Sequence, residues 1–156
     1  MRSRKREHQL KDEKMLDHIS TLEALEMEAK EIDSFLSITC SDDMNEVVDR
    51  GNDLAVHINR TGKMLADAKW HKDQKLKTSI IKTLQETAKM ANLSITTINK
   101  LIDANCETEN YMVNWIERLN RTATHDLDWC RTLVSKAKEE MRTSSGVSGR
   151  SNGDRF

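Results

Sequence analysis

"MVNWIERLNRTATHDLDWCRTLVSKAKEEM", residues 112–141, decides the fold. Met112, Ile116, Leu119, Ala123, Leu127, Cys130, Val134, Ala137 and Met141 recur in steps of three and four, which sets them on one face of an α-helix. No Gly or Pro interrupts the stretch. Ile98, Ile102 and Asn105 continue the face upstream, so the spacing predicts a helix over 95–142, with an optional break near Asn105. Before it, "NLS" at 92–94 reads as a tight turn in which Asn92 stops one helix and Ser94 caps the next.

A second seam precedes that turn: Val47, Gly51, Leu54, Ile58, Thr61, Leu65 and Ala68, then Leu76, Ile80, Leu84, Ala88 and Ala91. The rhythm weakens around "KWHKDQKLK". Residues 42–91 therefore form either one helix or two with a joint near Asp73. Ser41 suits the N-cap, with Asp42 and Asp43 at the positive helix end. Met15, Ile19, Leu22, Leu25, Ala29, Ile32 and Leu36 mark a first helix that ends near "SITCSDD" and restarts at a Ser20–Glu23 capping box.

These segments predict an all-α fold: an elongated antiparallel helical bundle, or long helical hairpin, with coiled-coil-like seams. The organisation is a basic disordered arm (1–7), a helical domain (8–142) and a disordered Ser/Gly-rich tail (143–156). Two helices of nearly fifty residues would each span roughly 70–75 Å. The shorter first helix covers only part of that hairpin, which leaves the far end two helices thick with spare apolar surface. Such surface finds another chain, so homo-oligomerisation is expected.

Composition agrees. The chain has 156 residues, 33% of them charged and 4% aromatic, with no Pro; few places force a helix to stop. The net charge of −1 hides an asymmetry: residues 12–33 hold eight acidic and two basic side chains, residues 60–89 eight basic and three acidic. The two segments attract each other within or between subunits, or the basic one binds an anion. Cys40, Cys106 and Cys130 are odd in number and far apart, which fits a reduced, cytoplasmic protein. The N-terminus has no apolar stretch for a signal peptide, and no run is long enough to span a membrane. The Asn-x-Ser/Thr sequons at Asn59, Asn92 and Asn120 are read as chance.

Beside the apolar face of 112–141 runs a second straight row: Trp115, Arg118, Thr122, His125 and Trp129, flanked by Arg121. In one reading the indoles widen a helical core. In the other the row lines a ligand groove, where Trp stacks on a flat ring, Arg pairs with phosphate or carboxylate, and Thr122, His125 and Asn120 orient the ligand. An echo, "NRTGKMLADAKW" at 59–70, sets Asn59, Lys63 and Trp70 in a row flanked by Arg60, with Trp70 opposite the seam or at a helix joint.

Other chemistry is less well furnished. No His-x3-His or Glu-x-x-His pair marks a metal site, Cys130 falls in the seam, and no Gly-rich phosphate loop exists. The chain is expected not to be an enzyme and to need no cofactor. Lys63, Lys69, Lys72, Lys75, Lys77 and Lys82, with Trp70 as a stacking platform, keep single-stranded nucleic-acid binding as an alternative.

In broad design, "NRTGKMLADAKW", "NWIERLNRTATHDLDWC" and "SKAKEEMR" resemble the small helical phage and mobile-element proteins that capture nucleotide immune signals between subunits. The resemblance rests on size, helicity and Trp with Arg/Lys. It implies a non-enzymatic, oligomeric binder that sequesters an anionic, ring-bearing molecule such as a nucleotide, in a host cytoplasm if phage-encoded. A structural coiled-coil adaptor or phage component is the competing expectation.

Overall fold

The computed structural model describes residues 18–87 and 94–148. Among them are four helices and no strand: α1 (Leu22–Leu36), α2 (Met44–Thr87), α3 (Ile95–Asn105) and α4 (Glu107–Ser148). The fold is all-α. The arm at 1–7, the seam residue Met15, the Asn92 turn and residues 149–156 lie outside the described residues.

The helix ends follow capping chemistry. Thr21 caps α1, its Oγ1 accepting from the Ala24 amide at 3.2 Å; the restart falls one residue after the Ser20 expected from sequence, because the Ser20 backbone is engaged by α2. Asp43, not Ser41, caps α2. Its carboxylate accepts from the Asn45 and Glu46 amides at 2.9 and 3.2 Å, while Ser41 Oγ accepts from the Asp43 amide at 3.1 Å and ties the loop. A carboxylate suits the positive helix end better than a hydroxyl. Ser94 caps α3 as its spacing implied, accepting from the Thr97 amide at 3.2 Å.

α2 is one helix of 44 residues, about 66 Å long, with no joint at Asp73. α3 and α4 are separated by a single turn residue, Cys106, whose amide donates to Asp103 O; the optional break near Asn105 is real. α4 continues through Ser148, past residue 142, where the spacing predicted the helix to end. Thr143, Ser144 and Ser145 donate their hydroxyls back to carbonyls of residues 139–141, which keeps these weak helix formers satisfied within the helix.

α2 and α4 share by far the largest interface and run antiparallel. Cys106 lies beside Ser79, Asn120 beside Thr61, and a Cβ on Gly51 would sit in ordinary contact with Leu127 and Cys130. α1 lies against both near their middle. One core cluster joins Leu25, Ala29 and Ile32 of α1, Met64 and Ala68 of α2, and Met112, Val113, Ile116 and Leu119 of α4. The other joins Val47 and Leu54 to Ala123 and Cys130, with Phe35, Leu36 and Ile58 packed on it.

Beyond Ala68 the buried face of α2 changes character. Ser79 and Thr83 are buried, while Ile80 and Leu84, expected in the seam, are exposed. The reason is angular. Ser79 stands eleven residues, just over three full turns, after Ala68 and returns to its face, whereas Leu76, Ile80 and Leu84 step by four and drift away from it. α3 buries no residue completely.

Candidate functional site

Two adjoining grooves run along α4 beside the C-terminal end of α1. The larger, about 540 Å³, is lined by Asp33, Leu36, Ser37, Tyr111, Asn114, Trp115, Arg118, Leu119 and Thr122. The smaller, about 290 Å³, shares Leu36 and Ser37 and adds Ile38, Thr39, Cys40, Arg50, Asp126, Trp129 and Cys130. Two sequence features put them there. α1 stops at Leu36, so the following loop leaves the α4 surface uncovered. The row beside the α4 seam then presents its large side chains to that opening.

Trp115 is half-buried against the core, with one side on the groove, and its ring centroid is 5.8 Å from that of Tyr111. Arg118 is exposed and makes no ion pair among the described residues. Thr122 is half-buried in the same wall. Trp129, 57% exposed, lines the smaller groove. Neither indole is sealed among aliphatic side chains. Arg121 and His125 are exposed but line neither groove. Tyr111, Asn114 and Asp33 were missed from sequence. Tyr111 stands one helical turn before Trp115, a spacing that could have revealed it; Asp33 is brought in only by the docking of α1.

Asn120 stands elsewhere. Its side-chain amide donates to Ile58 O at 3.0 Å and to Thr61 Oγ1 at 2.7 Å, and the Thr61 hydroxyl in turn donates to the carbonyls of its own helix. Ile58 O can only accept, which fixes the orientation of the Asn120 amide. The two Asn-Arg-Thr copies thus meet where α2 crosses α4: Asn120 of one bonds Thr61 of the other. Asn120 is an interhelical strut rather than part of the groove wall.

The α2 residues of the echo also serve internal contacts. Arg60 forks onto both oxygens of Glu28 on α1, with Nη2 to Oε2 at 2.5 Å. The Glu28 hydrogen bond, partly offset by desolvation, pushes the Arg60 pKa further up and keeps the guanidinium charged. Lys63 donates to Asp67 and, at 2.9 Å, to His18 O. The buried Asp67 also accepts from the Ser20 amide at 3.2 Å, and His71 Nε2 donates to Ser20 O at 2.7 Å. A carbonyl can only accept, so His71 carries its proton on Nε2. Burial alone would raise the Asp67 pKa, but the hydrogen bonds from Lys63 and Ser20 outweigh it and hold it below the ordinary carboxylate range. Lys63, Asp67 and His71 lie one helical turn apart and form a ladder that straps residues 18–20 to α2. The Arg60–Glu28 pair joins the acidic and basic segments within one chain. Asn59 is exposed, and Trp70 is half-buried with its ring edge-on to His71. None of Asn59, Arg60, Lys63 or Trp70 reaches the Trp115 groove.

Among the described residues no group of three or more His, Cys, Asp or Glu side chains is placed to hold a metal ion, and no helix is long and apolar enough to cross a membrane. No protein-family model matches the chain, and comparison with curated proteins and with solved structures found no match.

Proposed function

We propose that the chain is a non-enzymatic, ligand-sequestering helical protein whose groove between α1 and α4 takes an anionic, ring-bearing small molecule of nucleotide type. The observation that carries this reading is the meeting, in one open groove, of the Tyr111–Trp115 ring pair with the uncommitted guanidinium of Arg118. Trp115 stacks on the base and Arg118 pairs with phosphate. Thr122 and Asn114 direct hydrogen bonds, and Asp33 accepts from a sugar hydroxyl or an exocyclic amine. Trp129 extends the stacking surface. Arg121 and His125 stand outside the groove walls, as do Arg60 and Lys63, which are taken by internal acceptors. The design-level resemblance to phage proteins that capture nucleotide signals, in a host cytoplasm, points the same way.

Tryptophan fluorescence and thermal shift against a nucleotide panel that includes cyclic dinucleotides test the reading. A real site gives saturable quenching, and ligand at a hundred times Kd stabilises by about 2.7 kcal/mol. Arg118→Ala abolishes both while the fold persists. Absence of saturable quenching across the panel sinks the proposal. A salt-steep shift on single-stranded DNA, lost with Lys75→Ala and Lys77→Ala, would favour the nucleic-acid alternative.

A structural adaptor that assembles as a homo-oligomer is the second reading. It is favoured by the far end of the α2–α3 pair, where Ile81 is 58% and Ile95 78% exposed. A second copy's far end would complete that surface as a coiled-coil-like bundle. Light scattering of the parent and of Ile81→Glu/Ile95→Glu decides: a parent oligomer that the double variant dissociates supports assembly, and a monodisperse parent monomer at micromolar concentration removes it.

A further inference from the structure

The short connection between α1 and α2 brings two of the three cysteines to one place. Cys40 is half-buried in that connection and Cys130 is buried on α4. Both thiols are free, both line the smaller groove, and both belong to the apolar cluster around Val47 and Leu54. Burial pushes the Cys130 thiol up, and the neighbouring Cys40 adds to the effect; the Arg50 guanidinium works against it. The third cysteine is held apart: Cys106 is buried at the other end of the α2–α4 interface, its Sγ 3.9 Å from Ser79 Oγ.

We propose that Cys40 and Cys130 are a reversible redox pair, closed into a disulfide by hydrogen peroxide so that the α1–α2 connection is stapled to α4. The roles follow from access. The Cys40 thiolate, reachable from the open groove, attacks the peroxide oxygen; the O–O bond breaks, Cys40 becomes a sulfenic acid, and the released hydroxide takes a proton to leave as water. The thiolate of Cys130, with its proton passed to solvent, then attacks the Cys40 sulfur; the S–S bond forms, the S–O bond breaks, and the departing hydroxide is protonated to a second water. Two thiols lose two electrons and two protons while one peroxide is reduced to two waters. Leu36 and Ser37 border both grooves, so the crosslink also fixes the wall that the Trp115 groove shares.

The full-length reduced protein, exposed to hydrogen peroxide, alkylated under denaturing conditions and mapped without reduction, tests it. Titratable thiols should fall from three to one, with Cys106 the survivor. The chain should lose the mass of two hydrogen atoms, a Cys40–Cys130 peptide should appear, and dithiothreitol should restore all thiols. Trp129 fluorescence should change with oxidation, since its indole lines the same groove. Cys40→Ser should form no intramolecular bridge. Bridges to Cys106, bridges between chains, or a Cys40 that proceeds to sulfinic acid without crosslinking would each overturn the proposal. Should Cys130→Ser fail to fold, the parent map and Cys40→Ser suffice to decide.

Discussion

Asp67→Asn probes the ladder that straps residues 18–20, just ahead of α1, onto α2, and its cost can be worked from the contacts. The Asp67 side chain is 5% exposed and accepts from the Lys63 ammonium and the Ser20 amide. A hydrogen bond to a charged group contributes about 1.5–3 kcal/mol when buried. Lys63 is 46% exposed, which brings its share down toward roughly 0.5–1 kcal/mol. In the variant the amide oxygen keeps a neutral bond to Ser20, but its NH2 faces the Lys63 ammonium, donor against donor. The net loss is about 1.5–3 kcal/mol, or roughly 3–10 °C in Tm for a chain of this size. The sign with pH is fixed by the lowered pKa of Asp67. Its contribution is complete above the unfolded value of about 3.9 and is lost as pH falls through the lower folded value. Urea unfolding of parent and variant at neutral pH and across the acid range measures this. The gap should be widest at neutral pH and close at the acid end, and a cycle with Lys63→Met should show coupling. A variant as stable as the parent at neutral pH, or a gap indifferent to acid, would refute the ladder as the fastening of residues 18–20.

Gly62→Ala should stabilise by about 0.8–1 kcal/mol, because nothing lies within 4 Å of the added Cβ and helix propensity alone decides. Gly51→Ala should have the same sign, since its Cβ meets Leu127 and Cys130 only at 3.7 and 3.8 Å; differential scanning calorimetry of both variants would detect a hinge at either position as a loss instead. Asn120→Ala should lower stability by about 1–3 kcal/mol through the lost bonds to Ile58 O and Thr61 Oγ1, yet leave the affinity for any ligand of the Trp115 groove unchanged in the fluorescence titration.

Much of the architecture was written in apolar spacing. The steps of three and four from Met112 to Cys130 gave the α4 core face, and Ser94 gave the start of α3. What spacing could not supply was choice among neighbouring polar residues. Ser20 and Thr21 are equivalent on paper, and only the engagement of Ser20 by Asp67 and His71 decides between them. Of the row on α4, Trp115, Arg118, Thr122 and Trp129 border the two grooves and His125 does not, because a row flanking a seam meets only what the next helix leaves uncovered. Arg60 and Lys63 looked like spare cations because their partners, Glu28 and Asp67, were set against them by tertiary docking and by a helical turn that serves burial. The distal α2 seam was misplaced by following the bulky aliphatics through steps of four, when the helix returned Ser79 and Thr83 to the inner face.

That exchange of Ser79 and Thr83 for aliphatic side chains has a consequence for how the molecule breathes. Backbone amides around Leu54, Met64 and Ile116 are shielded by dense apolar packing, whereas those of α3 and the facing end of α2 lean on small hydroxyls and a single buried cysteine. Opening should therefore begin at α3 and the facing end of α2 and travel inward. Deuterium uptake should trace a slope of protection along α2, shallowest near Thr83 and steepest toward Leu54.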